Sequence, residues 1–346
     1  MVVNDINTEL AAYTTTDLAM NATNMGHEVW YISVADFAYD PDEMVHANAR
    51  RVIDKKYRSN QVYLQSLRDH TSYRERITIE DLDVLLLRND PAEDVIARPW
   101  ARLAGINFGR LASKHGVIVL NDPDGLTQAI NKMYLQYFPS KIRPRTLISR
   151  NKTDIKHFIK EQGGYGVLKP ISGSGGRNVF LVQPADAPNI NQMIEAVSTE
   201  GYVIAQEYLP DAIHGDTRLF LMNGKPLCCK GKYAAFHRLR KQGDADMRSN
   251  MTAGAVAIQA HITDNMLEMA DIVHDKLIQD GMFLVGLDIV GDKLMEINVF
   301  SPGGLDSASQ IEKCNYFREI ILSLENKVSR KESYTGNINN IELATI

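Results

Sequence analysis

The sequence predicts a mixed protein: a parallel-sheet α/β unit first, then antiparallel α+β units. Two observations carry this reading. Up to residue 120, short apolar strands alternate with helical patterns, as in a parallel sheet covered on both faces. Beyond it, strands follow one another across glycine turns, which makes them antiparallel neighbours. The 346 residues are long enough for two or three such units, each with a buried core.

In chain order, Met1 to Val3 is the stub of a first strand, so that strand is short or the chain begins a few residues late. Thr15 to Met25 reads as a helix and His27 to Val34 as a strand. Val84 to Leu87 is an apolar strand that ends in Arg88-Asn-Asp-Pro. Trp100 to Lys114 is helical, and Val117 to Leu120 is another buried strand. Asn121-Asp-Pro-Asp-Gly is a dense turn cluster and marks a boundary. After it come a helix carrying Lys132, a helix near Thr153 to Glu161, and strands Gly166 to Lys169 and Asn178 to Val182. The third region holds strands Val203 to Glu207, Thr217 to Met222 and Pro226 to Lys232, then a polar stretch from His237 to Asn250. A helix near Asp264 to Asp280 precedes a hairpin from Phe283 to Phe300 that turns at Gly291-Asp292. The expected organisation is 1–120, 121–202 and 203–326, with 327–346 a frayed, polar tail.

Composition removes several classes of function. A net charge of −5 gives no polyelectrolyte footprint for nucleic acid. No apolar run reaches the length of a membrane span, and the N-terminus shows no signal-peptide pattern. Cys228, Cys229 and Cys314 make no disulfide framework and no zinc spacing. The simplest reading is a reduced, cytoplasmic protein.

Chemistry concentrates in four places. Glu296 and Asn298 are two apart on a strand and share one face, and Asp288 sits on the preceding hairpin strand. Two carboxylates and an amide oxygen form a hard oxygen site suited to Mg²⁺. Incidental acids on a solvated hairpin are the competing reading, weakened by the apolar flanks because buried acids need partners. Next, Gly166-Val-Leu-Lys169-Pro leads into Ser172-Gly-Ser-Gly-Gly-Arg177, in which glycines let backbone N–H groups approach phosphate and Lys169 supplies a cation. Alone, a flexible turn explains that loop as well; it is neither a P-loop nor a dinucleotide fingerprint. Gln206-Glu207-Tyr208-Leu209 is a strand end that could offer backbone groups to adenine, or an ordinary strand end. Finally, Arg218, Arg238, Arg240 and Arg248 offer planar forks for carboxylate or phosphate. Arg238 and Lys241 read as a solvated loop, while Arg218 and Arg248 stand evenly between function and structure.

Taken together, these segments resemble the ATP-grasp ligases, and within them the bacterial glutathione synthetase family. The likeness runs from about Asp83 to Pro302 through Asp83-Val-Leu-Leu-Leu-Arg-Asn-Asp-Pro91, Asn131-Lys132, Lys169-Pro, Gly173-Ser-Gly-Gly176, Gln206-Glu-Tyr-Leu-Pro210, Gly215-Asp-Thr-Arg218, Arg248-Ser-Asn250, Gly286-Leu-Asp288 and Glu296-Ile-Asn298. The resemblance implies an ATP-grasp fold behind a Rossmann-like N-terminal domain. It implies that Lys132 and Lys169 contact ATP phosphates, that Gly173, Ser174, Gly175 and Gly176 close over them, and that Gln206, Glu207, Tyr208 and Leu209 hold adenine. Asp288, Glu296 and Asn298 would bind two Mg²⁺ ions, with Mn²⁺ as an alternative. Arg218 and Asn250 would lie near the acyl phosphate and the acceptor, with Arg218 stabilising the tetrahedral intermediate, and Arg240 and Arg248 would sit on a mobile substrate loop. The implied partners are a dipeptide carboxylate, an amino acid amine and further copies of the chain. One departure stands out. Where the family pattern continues Ser-Pro-Thr followed by an arginine and an acid, this chain reads Ser301-Pro-Gly-Gly-Leu-Asp-Ser307, which puts the identity of donor and acceptor in question. The alternatives are a ligase that extends another peptide or protein terminus and an inactive ATP-binding regulator; the retained lysines and oxygen ligands argue against the latter.

Overall fold

The computed structural model describes residues 1–173, 175–199, 201–239, 255–334 and 338–346. The N-terminal unit contains β1 (Val2–Val3), α1 (Thr14–Met25), β2 (Ile32–Ser33), β3 (Phe37–Tyr39), β4 (Val45–Arg51), α2 (Asn60–Arg68), β5 (Tyr73–Thr78), β6 (Val84–Leu86), α3 (Ala104–Lys114) and β7 (Ile118–Leu120). β1 pairs in parallel with β2, β6 pairs in parallel with β7, and a parallel Val2–Leu87 bridge joins the two pairs. The order is therefore β2-β1-β6-β7. The chain leaves β1 toward one side of the sheet and β6 toward the other, so a switch point lies between their carboxyl ends. In open parallel sheets that crevice is where ligands bind.

The sequence reading assigned no element to residues 35–78. In the structure β3, β4 and β5 form an antiparallel sheet. Along β4, Val45, Ala47 and Ala49 are buried while His46, Asn48 and Arg50 are not. Small alanines carry that alternation, and β5 is mostly exposed, so the apolar signal is weak.

The middle unit runs through α4 (Pro123–Gln128), β8 (Thr146–Ser149), α5 (Lys152–Glu161), β9 (Gly166–Pro170), β10 (Phe180–Val182), α6 (Ile190–Ser198) and β11 (Val203–Gln206). Its antiparallel sheet has the order β10-β9-β11-β8. Ile155 and Ile159 of α5 and Ile194 and Val197 of α6 pack on Leu168, Val182, Val203 and Ala205. Truncating Ile155 to Ala in such a core costs about 2–5 kcal/mol. The expected helix carrying Lys132 is instead a 3-10 segment, Lys132–Tyr137, with the Asn131 side chain accepting from Met133 N. Its tighter turn follows the end of α4 at Ala129 and places Lys132 at the segment's first residue.

The C-terminal unit contains β12 (Asp216–Met222), β13 (Lys225–Pro226), β14 (Cys228–Cys229), β15 (Lys232–Tyr233), β16 (Ala235–Leu239), β17 (Val256–Ile258), α7 (Asp264–Gln279), β18 (Leu284–Val290), β19 (Lys293–Asn298), α8 (Leu305–Glu312), α9 (Tyr316–Ser333) and α10 (Asn340–Thr345). The expected strand Pro226 to Lys232 is broken into short pieces. Its sheet has the order β17-β16-β12-β18-β19, with β13 paired to β12. Helix α7 buries Met266, Met269, Ala270, Val273 and Leu277, one stripe at helical spacing, and Thr263 caps its start. These residues join Leu219, Val285 and Leu287 of the sheet in a core that continues into the N-terminal unit.

One observation and one correction concern the connections. The turn cluster at Asn121 is tied to the C-terminal hairpin. Asn121 Oδ1 accepts from Phe283 N (2.8 Å) and Leu284 N (2.9 Å), and its Nδ2 donates to Val299 O (2.6 Å). Among the described residues of 327–346, the expected frayed tail is corrected. α9 continues through Lys327, which is fully buried and donates to Asn223 Oδ1, Ala344 O and Ile346 O. α10 then packs on β7 through Leu343 and Ala344, and Asn340 bonds Val119 N, Val119 O and Asp122 Oδ2.

Candidate active site

Strand register sets the centre of the site. Arg218 on β12 lies opposite Asp288 on β18, and Asp288 lies opposite Glu296 on β19. One cross-strand row therefore reads Arg218–Asp288–Glu296, with Asn298 opposite Gly286 in the next row on that face. Arg218 grips Asp288 with two parallel bonds, Nε to Oδ1 and Nη2 to Oδ2, both 2.7 Å. Its Nη1 donates to Gly303 O at 3.1 Å, which fixes the loop after Asn298.

The sequence reading missed Arg238, expected in a solvated loop. It is 7% exposed on β16, paired with Asp216 through Nε (3.0 and 3.1 Å) and meeting Asp288 Oδ2 at 2.8 Å. The register Asp216–Arg238 brings them together. Gly215, at φ +100, makes room: a Cβ there would sit 1.9 Å from Arg238 O. Burial alone would raise the Asp288 pKa, but Arg218 and Arg238 hold it well below the usual carboxylate range. Burial likewise works against the Arg238 charge, but Asp288 and Asp216 raise its pKa.

A cleft opens in front of this network. It is lined by Asn131, Lys132, Lys169, Ser172, Gly173, Gln206, Glu296, Asn298 and Ser301, with Ile204, Met295 and Ile297 among its apolar walls. Lys132 Nζ lies 3.3 Å from Glu296 Oε1 and also donates to Gly173 O, so one lysine spans the hairpin and the glycine loop. Lys169 Nζ donates to Gln206 Oε1 at 2.8 Å. Burial pushes its pKa down to about 8, with Lys132 adding to that and Glu296 opposing it. Burial would raise Glu296, yet Lys132, then Lys169 and Arg218, bring it below its ordinary value. Gly173, Gly175 and Gly176 all have positive φ, which keeps side chains out of the loop.

Of the expected adenine-holding residues, only Gln206 lines the cleft. Gln206 turns its side chain inward to Lys169 and Thr146. Glu207, Tyr208 and Leu209 follow β11; Glu207 pairs with the Arg145 backbone, and Tyr208 stacks on Tyr165 with ring centroids 6.2 Å apart. Ser174, Arg240, Arg248 and Asn250 lie outside the described residues.

The oxygen donors suit a hard divalent cation. Among the described residues, Asp288 Oδ2 already meets Arg218, Arg238 and Asn298 Nδ2, whereas Oδ1 accepts only from Arg218 and keeps acceptor capacity. Glu296 faces the cleft beside a displaceable lysine, and Asn298 donates through Nδ2, leaving Oδ1 as a donor atom toward a cation. An all-oxygen set flanked by cationic side chains can hold a metal only together with further anionic oxygens, which is the situation a bound triphosphate creates.

Two more buried charged residues, at the switch point of the N-terminal sheet, had no role assigned from sequence. Arg88 follows β6, is 7% exposed, and donates to Thr15 Oγ1 (3.2 Å) and Pro302 O (3.5 Å). Glu9 is 6% exposed in the loop after β1. Neither position shows a periodic pattern; only the switch-point topology draws attention to them.

The chain matches the model of the prokaryotic glutathione synthetase ATP-grasp domain over residues 131–313 and that of the N-terminal domain over residues 1–127. A glutathione synthetase from Synechococcus elongatus is 30% identical over 88% of this chain and 90% of its own length. One from Gloeobacter violaceus is 31% identical over 84% and 85%. Among solved structures, the D-cycloserine synthetase DcsG superposes with a TM-score of 0.62 at 14% identity over 95% of this chain and 98% of its own. The ATP-grasp ligase PsnB complexed with minimal precursor superposes at 0.59 and 16% identity, over 94% and 97%. These structural likenesses establish the fold.

Proposed function

The chain belongs to the prokaryotic glutathione synthetase family and is an ATP-dependent peptide ligase, and from that premise we propose that it condenses γ-glutamylcysteine with glycine through an acyl phosphate, releasing ADP and phosphate. The observation that carries the reading is the convergence of Lys132, Lys169, the glycine loop and the Glu296–Asn298 strand face on one cleft.

The residues of the chain do mostly positioning and charge neutralisation. Lys132 and Lys169 bind the phosphates; Lys132 exchanges Glu296 for phosphate oxygen as ligand enters. The glycine loop closes over the phosphates and excludes water from the acyl phosphate. Glu296, Asn298 and Asp288 Oδ1 would hold two Mg²⁺ ions, which supply Lewis-acid neutralisation of the transferred phosphoryl group. Arg218 keeps two unassigned N–H groups beyond its bonds to Asp288 and Gly303, and those face the developing oxyanion. Arg240 and Arg248, as residues of a substrate loop, and Asn250, near the acceptor, are assigned by the family resemblance. Assembly as a homo-oligomer and a cytoplasmic location belong to the same reading. On the structural side, no helix among the described residues is long and apolar enough to cross a membrane.

One observation favours a second acceptor. Gly303 replaces a side chain in the loop after Asn298, and nothing lies within 4 Å of where its Cβ would be. An acceptor bulkier than glycine would fit such a gap. ADP release with γ-glutamylcysteine against a panel of amino acids and peptide amines decides between them. Selective turnover with glycine supports the first reading; preference for a larger amine, or for another donor, replaces it.

A further inference from the structure

We propose that Asp280, acting through the Tyr134 hydroxyl, is a positioning residue for Lys132: it fixes the backbone from which that lysine reaches the phosphates of the nucleotide. The proposal rests on the ligase reading above, in which Lys132 binds ATP phosphates, and adds to it the group that sets where the lysine stands.

Lys132 opens the 3-10 turn Lys132–Tyr137. Its stem is flexible, so where its ammonium can reach depends on where its backbone is held. On one side that backbone is tied to the start of the glycine loop, Lys132 N donating to Ile171 O at 3.0 Å. On the other it runs into Tyr134, whose N donates to Asn131 O at 3.2 Å. Tyr134 lines the cleft with part of its ring but is otherwise buried, and its hydroxyl donates to Asp280 Oδ2 at 2.6 Å. Burial raises the Tyr134 pKa and Asp280 raises it further, so the hydroxyl keeps its proton and stays the donor.

Asp280 follows α7 and is buried. Its Oδ1 accepts from Lys276 Nζ, one turn earlier on the helix, at 2.7 Å. Both carboxylate oxygens are therefore bonded, and the buried charge has its cation. Lys276 also lies over the Tyr137 ring, 5.4 Å from the centroid, so the end of α7 holds the turn at two of its tyrosines. Gly125 of α4 closes on the same residue: a Cβ there would sit 1.8 Å from Asp280 O. The residues after Asp280 lead straight into the sheet. Gly281 O accepts from Asp122 N at 3.0 Å, and Phe283 N and Leu284 N donate to Asn121. Leu284 opens β18, the strand that carries Asp288 and pairs with β19, the strand of Glu296.

Asp280 is thus fixed to the strands that present Glu296, and its bond to Tyr134 carries that reference across to Lys132. The arrangement answers a mechanical need. Lys132 Nζ lies 3.3 Å from Glu296 and donates to Gly173 O, and to take up phosphate it must let go of Glu296 while its Cα stays in place. A held backbone under a free side chain does that. Packing does not require the hydroxyl, because phenylalanine would fill the same space against Phe138, whose ring centroid lies 5.3 Å from that of Tyr134. A hydrogen bond from a hydroxyl to a carboxylate is directional and roughly twice as strong as a neutral one, which suits a part that locates another. Holding the turn in advance lowers the ordering cost of binding nucleotide.

The test is a double-mutant cycle on the full chain with Tyr134→Phe and Lys132→Met, which remove the hydroxyl and the ammonium separately and together. Binding of a non-hydrolysable ATP analogue with Mg²⁺ is measured by calorimetry, below the melting range of every variant. Tyr134→Phe is expected to weaken binding about tenfold, and Lys132→Met about 10- to 100-fold. In the Lys132→Met background, Tyr134→Phe should add less than about twofold, because the hydroxyl acts through the lysine. Asp280→Ala should repeat the Tyr134→Phe result. With γ-glutamylcysteine and glycine saturating, Tyr134→Phe should raise the KM for ATP about tenfold and leave kcat within about threefold. Additive losses in the cycle, undiminished affinity in Tyr134→Phe or Asp280→Ala, or a fall in kcat at unchanged KM overturn the positioning role. Lys132→Met that binds the analogue as the wild type does overturns it together with the phosphate role of Lys132. Absence of wild-type turnover with γ-glutamylcysteine and glycine rejects the substrate reading instead, and the binding cycle then decides the positioning role by the same results.

Discussion

Two regions of the molecule handle buried charge in opposite ways. On the β12–β18–β19 wall, Asp216, Arg218, Arg238 and Asp288 neutralise one another through bonds of 2.7–3.1 Å. In the loop after β1, Glu9 is as deeply buried but has an oxygen with no hydrogen bond from the described residues. A completed network is rigid and presents its neighbours, Glu296 and Asn298, in fixed positions. An incomplete one stores cost.

The strongest way to break that contrast is at Glu296, the carboxylate between the two regimes. Glu296→Gln removes a cation ligand without touching the Arg–Asp network, so ligation should fall by at least about 100-fold while the Tm stays near that of the wild type. Steady-state ADP release with a parallel melting curve measures both. Activity near the wild-type level would remove Glu296 from metal binding.

Next in size is stability. Arg238→Met leaves Asp216 buried and Asp288 short of one partner, and should cost about 3–5 kcal/mol in denaturant unfolding. A loss below about 1 kcal/mol would mean that Arg218 alone satisfies the network.

Glu9 should show the opposite sign. Its carboxyl holds a proton to about pH 7 in the folded chain, against 4.5 ordinarily. The folded state therefore binds the proton more tightly than the unfolded one. Stability is fully present below about pH 4.5 and is lost as pH rises toward 7. Glu9→Gln should match the wild type at pH 4.5 and exceed it at pH 8 by up to about 3 kcal/mol. A variant that is less stable at both pH values would show that the carboxylate has a partner after all.

The smallest effect concerns Lys169, one of the two cations proposed to bind the phosphates. Lys169→Met should raise the KM for ATP about tenfold, because Lys132 remains in place.

How much was legible follows from the same contrast. Glu296, Asn298 and Asp288 could be read because a strand has a period of two and a hairpin sets which residues oppose each other. Lys169 and the glycines could be read because they are contiguous. Arg238 could not, since its partner Asp216 is 22 residues away and only the β12–β16 register unites them. Its neighbours His237, Leu239 and Arg240 suggest a polar loop until that register is known. Glu9 lies in a loop without periodicity, so neither its burial nor its missing partner has a local signature. Lys327 misled for a related reason. A lysine in a polar tail reads as solvent-exposed, yet three acceptors from Asn223 and the end of α10 make its burial tolerable.

The central claim is that the Lys132–Lys169 pair and the Glu296–Asn298 face grip one triphosphate between them. A crystal structure of the full chain with a non-hydrolysable ATP analogue and Mg²⁺ tests it most directly. The β- and γ-phosphates should lie within hydrogen-bond distance of both lysine Nζ atoms, with a cation on Glu296 that has displaced Lys132. Nucleotide bound elsewhere, or Lys132 still paired with Glu296 beside bound nucleotide, would contradict it.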